Sequence, residues 1–246
     1  MINGKKILAV VPARGGSKGV HKKNLREIMG IPLVGIAGKT LNLIPEIDYK
    51  IVSTDSEEIA FEATNYGLEA PFMRPPELSG DRVGDIPVLK HTLNWYLKNK
   101  DTNIDVILMI QPTSPMRKTK HINQCLNKLI IGKFDSVITI SETNLKYHPY
   151  KQFITNKENL IWFDKSIGDK IVIRQDLSPT YHKNGACYAI DSSFLLNSNK
   201  EATPIGENSS YIITEDMISI DEINDFKIIE EKIKQTHLDI NEYIKD

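Results

Sequence analysis

Five short stretches of this chain are mainly apolar and lack strict alternation with polar residues: residues 7–11, 49–53, 106–110, 136–140 and 186–190. A strand wetted on one face alternates, whereas a strand covered on both faces does not, so these runs predict buried strands. Helical patterns lie between them. Residues 56–66 place Ile59, Ala63 and Ala60 together behind an acidic first turn and end at Gly67. After Thr119, read as the capping residue, Ile122, Cys125, Leu126, Leu129 and Ile130 recur at helical spacing until Gly132. Ile223, Phe226, Ile229 and Ile233 form a last stripe. Buried strands alternating with helices predict an α/β fold around a mainly parallel sheet with helices on both faces. Residues 142–183 break the rhythm: they are polar, carry scattered aromatics and show no long stripe. They read as an inserted arm that contacts another subunit.

In such sheets ligands bind beyond the carboxyl ends of the strands, and three polar clusters follow strand ends here. The first is Ala13-Arg14-Gly15-Gly16-Ser17-Lys18-Gly19, with Lys22, Lys23 and Asn24 behind it. Glycines allow close backbone approach, and Arg and Lys supply donors for phosphate oxygens. The cluster fits neither GxxxxGK[ST] nor GxGxxG. Alone it reads equally as a glycine turn with solvated lysines; behind a buried strand it points to a phosphate site. The second is Gln111-Pro112-Thr113-Ser114-Pro115, a rigid turn or a set of short donors and acceptors. The third is Ser219-Ile220-Asp221-Glu222-Ile223-Asn224-Asp225. Asp221 reads there either as the N-cap of the last helix or as a magnesium ligand. Arg74 sits in a proline-fixed loop, Arg174-Gln175 suits a carboxylate, Asn184-Gly185 resembles a hairpin turn, and His148 is either a base or a structural histidine.

Composition narrows the chemistry. A formal net charge of −1 over 246 residues gives no global attraction to nucleic acid or anionic membrane. No apolar run is long enough to span a bilayer. The segment 7–11 is too short and too abruptly ended for a signal peptide. Cys125 and Cys187 lack metal-like spacing and read as reduced thiols of a cytoplasmic protein. No Ser-His-Asp, Cys-His or HExxH arrangement supports hydrolysis.

Taken in order, the segments 12–19 with Lys23-Asn24, 52–55, 74–78, Gln111-Pro112-Thr113-Ser114-Pro115, His148-Pro149, Arg174-Gln175, Asn184-Gly185-Ala186 and the acidic stretch ending at Asp225 resemble the acylneuraminate cytidylyltransferase family. The resemblance spans nearly the whole chain. It implies a Rossmann-like nucleotidyltransferase domain over residues 1–246, with residues 142–183 as a small dimerisation insert. It implies transfer of CMP from CTP to a nine-carbon 2-keto sugar acid with release of pyrophosphate, Mg²⁺ as cofactor, and a homodimer. By analogy Arg14, Lys23 and Asp221 are catalytic. Ala13, Arg14, Gly15, Ser17, Lys23, Asn24 and Arg74 would bind the nucleotide. Gln111, Thr113, Ser114, Lys151, Arg174, Gln175 and Tyr188 would face the sugar acid, and Asp221 would hold the metal. The chain departs from the family where two aspartates commonly precede the last helix: an ungapped match gives Ser219-Ile220-Asp221, with one carboxylate replaced by a hydroxyl. The related KDO enzymes carry an acidic residue where Thr113 stands, so the loop leans to the sialic-type branch. A KDO-type enzyme, another sugar nucleotidyltransferase and an inactive nucleotide-binding protein are the alternatives.

Overall fold

Residues 7–11 are inaccessible to solvent on both faces, and their two faces serve two different cores. Ile7, Ala9 and Val11 join one apolar cluster, and Leu8 and Val10 join the other. In the computed structural model, which describes residues 1–100 and 102–245 but not the side chain of Arg174, this strand is β1 (Ile7–Pro12). A small hairpin of β2 (Glu27–Ile28) and β3 (Ile31–Pro32) follows, then α1 (Leu33–Asn42), β4 (Tyr49–Ser53), α2 (Glu57–Asn65) and α3 (Asp85–Asn99). Next come β5 (Val106–Met109), α4 (Thr119–Gly132), β6 (Ser136–Glu142), the hairpin β7 (Phe153–Asn156) and β8 (Asn159–Trp162), and α5 (Lys165–Gly168). The chain closes with β9 (Tyr181–Asp191), α6 (Ser192–Asn197), β10 (Ser209–Thr214), α7 (Ile223–Lys234) and α8 (Ile240–Tyr243).

The main sheet has the order β10-β6-β9-β5-β1-β4. β1 pairs in parallel with β4 and β5, and β10 with β6, while β9 runs antiparallel between β5 and β6. One core cluster holds apolar residues of α1, α2 and α4, and the other holds those of α3 and α6. The expected helices on both faces are therefore present, and all five predicted strands form. A third cluster joins Ile28 and the outer face of α1 to Phe226, Ile229 and Ile233 of α7 and to Ile240 and Tyr243 of α8.

Local rules explain the boundaries. Ser56 caps α2 by accepting from the Ile59 N–H, Glu57 and Glu58 face the positive end of the helix, and Gly67 ends the segment at φ +77°. Gly35 and Gly38 let α1 approach Tyr66 closely: a Cβ on Gly38 would lie 2.6 Å from the Tyr66 carbonyl oxygen. α4 corrects an expectation, because Lys118 occupies the cap position and Thr119 is already helical. There the Lys118 N–H donates to Nδ1 of His121, so a side chain inside the helix satisfies the donor. Ile223 is also corrected: it is exposed, and only Phe226, Ile229 and Ile233 of that stripe are buried.

Asn184-Gly185 is not a hairpin turn. It lies within β9, where the pairing with β6 shifts between Ile138 and Ile140. Asn184 is buried there and fully bonded. Its amide nitrogen donates to Ser141 and Thr214, and its oxygen accepts from Thr139 and the Ala186 N–H. Gly185 takes φ +72°, which its lack of a Cβ permits. The segment between β6 and β9 leaves the sheet at the carboxyl end of β6, the edge on which β1 and β5 also end. His148 is buried within it, accepting from the Tyr150 N–H and facing the Ser178 carbonyl at 3.0 Å, which is the structural role. No helix among the described residues is long and apolar enough to cross a membrane.

Candidate active site

The loop that leaves β1 is shaped by bonds to its neighbours. Ala13 N–H donates to the Ser53 carbonyl, and Gly15 N–H to Oδ1 of Asp55 at 2.8 Å. Asn24, nearly buried, donates from its amide to the Arg14 carbonyl at 2.9 Å. The loop is thus closed on itself and tied to the end of β4, leaving Arg14, Ser17, Lys18 and Lys23 to line a cleft of about 480 Å³. That volume lies within the usual span for small-molecule sites.

Arg74 lies against the floor of the cleft. Its Nε donates to Ser53 Oγ at 3.1 Å, a second guanidinium nitrogen donates to the Ser53 carbonyl, and the side chain is only 6% exposed. Burial pushes this guanidinium down to about 10; the Asp55 carboxylate opposes the shift and the Arg14 cation reinforces it. The proline-fixed loop therefore turns Arg74 inward.

Gln111, Pro112 and Thr113 form the opposite wall. Their loop is held from three sides. Ser114, inaccessible to solvent, donates to the Asn184 carbonyl at 2.7 Å. The Thr113 carbonyl accepts from the Ile220 N–H at 2.8 Å. Arg117, fully buried, donates to the carbonyls of Gln111 and Ala186. Burial pushes the Arg117 guanidinium down to about 9.

The third cluster closes the mouth. Lys23 Nζ donates to the Ile220 carbonyl at 2.8 Å and lies 4.0 Å from the Asp221 carboxylate. Asp221 is not the helix cap. Glu222 holds the cap position, Asp225 in the first turn reaches back to accept from the N–H groups of Asp221 and Glu222, and the Asp221 side chain is left 83% exposed. That outcome removes the capping reading and leaves an open carboxylate beside the cationic loop.

The structure thus gathers Arg14, Ser17, Lys23, Asn24, Arg74, Gln111 and Thr113 around one cleft, with Asp221 beside Lys23 at its rim; Gly15 is tied to Asp55 and does not line it. Ala13 and Ser114 are buried supports. Tyr188 is 1% exposed in the sheet core and does not reach the cleft surface. Burial raises its phenol, and the nearby charge of Asp85 adds to this. Lys151 and Gln175 lie exposed on the segment that joins β6 to β9 and do not line the cleft. The side chain of Arg174 lies outside the described residues.

Sequence reading placed Lys18 in the phosphate loop without a role of its own, and missed Asp81 and Asp85 as cleft residues. Asp81 bonds Arg14 at 2.8 Å and also Lys18, and the Lys18 bond above all holds its carboxyl below the ordinary range. Asp85 opens α3, with Val83 and Gly84 before it. The available signal was Gly80-Asp81-Arg82-Val83-Gly84-Asp85, two glycines and two acids immediately before a helical stripe.

No group of three or more His, Cys, Asp or Glu side chains among the described residues forms a protein cage for a metal. The cleft has a different donor set. Four cations face a polar loop; Asp81 is paired with two of them, Asp85 lies in the wall, and Asp221 stands open at the rim. Such a set suits a polyanion with a divalent ion that keeps phosphate and water ligands.

Comparison with known proteins agrees with this geometry. A family profile described as Cytidylyltransferase matches residues 8–237. The CMP-N,N'-diacetyllegionaminic acid synthase of Legionella pneumophila is 30% identical over 236 residues, covering 88% of this chain and 98% of its own. Post-translational flagellin modification protein B of Campylobacter coli is 29% identical over 242 residues, covering 96% of this chain and 99% of its own. A solved CMP:2-keto-3-deoxy-manno-octonic acid synthetase complexed with CTP shares the fold at a TM-score of 0.70 and 15% identity, over 94% of this chain and 100% of its own. Because the matched span runs from β1 to the end of α7 and includes every wall of the cleft, the chain belongs to the cytidylyltransferase family.

Proposed function

We propose that the protein transfers CMP from CTP to the anomeric hydroxyl of a nine-carbon 2-keto sugar acid, releasing pyrophosphate. The observation that carries this reading is the split character of the cleft. Arg14, Lys18, Lys23 and Arg74 supply positive charge on one side, and Gln111 and Thr113 offer neutral hydrogen-bonding groups on the other. The first side suits a triphosphate, and the second suits a hydroxylated acid.

Roles follow from placement. Arg14 and Lys23 hold the triphosphate and take up charge on the leaving pyrophosphate. Asn24 and Arg74 lie behind them, toward the base and ribose. Gln111 and Thr113 orient the sugar acid, supported by Ser114 and Arg117. In-line transfer asks for positioning and charge neutralisation more than for a nucleophilic side chain. A bound magnesium ion would supply charge neutralisation between the phosphates, and Asp221 is the residue placed to hold it.

Residues 142–183 act as an inserted dimerisation and substrate-site arm. Phe153, Ile154, Leu160, Phe163, Val172 and Ile173 on it are exposed apolar side chains that a second copy would cover. Cys125 and Cys187 are both buried and unpaired, and their mutual contact pushes the Cys125 thiol well up. Inert thiols of this kind fit the reducing cytoplasm.

The test is a matrix of the four nucleoside triphosphates against 2-keto sugar acids with Mg²⁺, read by product mass. A CMP ester of a nine-carbon acid from CTP alone is the expected result. An eight-carbon KDO product would move the enzyme to the KDO-type branch, and CTP binding without any product would support a non-catalytic protein.

A further inference from the structure

The transfer proposed above needs a proton acceptor for the attacking hydroxyl, and few cleft groups can serve. Among the described residues the titratable side chains lining the cleft are Arg14, Lys18, Lys23, Arg74, Asp81 and Asp85. Four are cations. Asp81 is tied into ion pairs with Arg14 and Lys18 on the phosphate side. Among the described residues no cation forms an ion pair with the Asp85 carboxylate, which lines the same cleft as Gln111.

The backbone around Asp85 is pinned from outside. Its N–H donates to the Ala202 carbonyl at 3.0 Å, and the Ile86 N–H donates to the Glu201 carbonyl. Gly84 packs so closely that a Cβ there would lie 2.1 Å from the Glu201 oxygen. A carboxylate on the first turn of a fifteen-residue helix is thereby held at a fixed place in the wall. We infer that Asp85 is the general base of the reaction, held in the cleft wall by the pinned start of its helix. This rests on the cytidylyl-transfer reading. The hydroxyl proton passes to a carboxylate oxygen of Asp85 as the hydroxyl oxygen bonds to the α-phosphorus of CTP. The bond from that phosphorus to the bridging oxygen breaks, and pyrophosphate leaves with its electron pair. The base must be ionised before each turnover.

The surroundings set the direction of the pH dependence. Burial raises the Asp85 carboxyl above its ordinary value, while Lys183 and the Gln111 side chain oppose the shift. Arg14, Lys18, Lys23, Arg74 and Asp81 share the cleft, and the Tyr188 phenol lies behind it. Protonation of Asp85 removes the acceptor, so turnover falls on the acid side.

The experiment compares wild type, Asp85→Asn and Asp85→Ala by pyrophosphate release at saturating CTP and sugar acid over a range of pH, with CTP affinity measured by calorimetry. Asp85→Asn is expected to lower kcat about 10²- to 10³-fold, leave CTP affinity within about threefold, and lose the acid limb of log kcat against pH. Added formate is expected to restore part of the Asp85→Ala rate in a concentration-dependent way without raising that of wild type. An Asp85→Asn kcat within about fivefold of wild type, or an acid limb that persists in it, would overturn the assignment. So would failure of formate to rescue an Asp85→Ala protein that still binds CTP. If wild type itself makes no CMP ester, the cytidylyl-transfer reading fails; an active wild type with a normal Asp85→Asn variant rejects only the base.

Discussion

The ammonium of Lys23 bridges the first loop and the last polar cluster, donating to the Ile220 carbonyl at 2.8 Å with the Asp221 carboxylate 4.0 Å away. Residues almost two hundred positions apart thus meet at the mouth of one cleft. Lys23 is only 13% exposed, so its charge is weakly screened and its direction is fixed. Replacing it by Met removes a donor aimed at the nucleotide side. A charge-assisted bond contributes about 1.5–3 kcal/mol, so Lys23→Met is expected to reduce kcat/KM for CTP by about ten- to a hundredfold in steady-state assays.

Asp221 carries the opposite expectation for stability. An exposed carboxylate that caps nothing can be removed with little effect on folding, about 0.5 kcal/mol or less. Asp221→Ala is therefore expected to melt like wild type while losing most Mg²⁺-dependent turnover. Calorimetry and a Mg²⁺ titration of the rate check both halves, and near-normal turnover would remove its metal role.

Gly185 connects backbone strain to the substrate wall. It combines φ +72° with contact so close that a Cβ would lie 2.4 Å from Gln111 Oε1 and 2.7 Å from Ser114 Oγ. Gly185→Ala is expected to cost about 1–3 kcal/mol in stability. It should also raise KM for the sugar acid more than KM for CTP, because the displaced atoms belong to the Gln111 loop. Denaturant unfolding and paired steady-state kinetics measure the two effects.

His121 gives a pH dependence to the fold. Burial lowers its pKa, while Glu215, whose Oε2 lies 3.0 Å from Nε2, opposes the shift. Its Nδ1 already accepts from the Lys118 N–H, so a second proton there would face another donor. In the unfolded chain His titrates near about 6.5. Below that pH the unfolded state takes up a proton that the folded state refuses, so stability falls as pH drops through this window and the loss is absent above it. The melting temperature is expected to decrease between pH 7.5 and 5.5, and His121→Gln should flatten that decrease even though it lowers stability at pH 7.5.

The exposed apolar arm predicts an oligomer. Leu160 and Phe163 are both about two-thirds exposed, and a pair of charged substitutions there (Leu160→Lys with Phe163→Glu) is expected to convert a dimer into a monomer in light scattering. A wild-type monomer would count against the arm as a subunit contact.

The layered fold was legible in the sequence because strands buried on both faces leave uninterrupted apolar runs, as residues 7–11 and 106–109 do. β10 was not, because at the sheet edge Tyr211 and Ile213 are half exposed and the short run 211–213 is flanked by Ser209, Ser210 and Thr214. α1 escaped for the opposite reason: nearly every residue is buried, so no polar face outlines its period, and Gly35 and Gly38 read locally as breakers. In the site, the strand-end position of Arg14, Lys23 and Gln111 was readable from motif spacing. Asp85 was not, since the two glycines and two acids of residues 80–85 also read as a plain turn before a helix with an acidic first turn; the packing of residues 201–202 against Gly84 and the Asp85 backbone fixes its place in the wall. Tyr188 shows the reverse error, a residue assigned by analogy two positions beyond a matching segment, whose strand register sends it into the core beside Met109 and Ile138.

The most direct test of the central claim follows the phosphorus atoms. In ³¹P spectra of the enzyme with CTP, Mg²⁺ and a nine-carbon 2-keto sugar acid, the α-phosphorus of CTP is predicted to become a phosphodiester while pyrophosphate grows in equal amount, and only when the acid is present. Release of CDP with inorganic phosphate, or of free CMP with pyrophosphate in the absence of the acid, would contradict it.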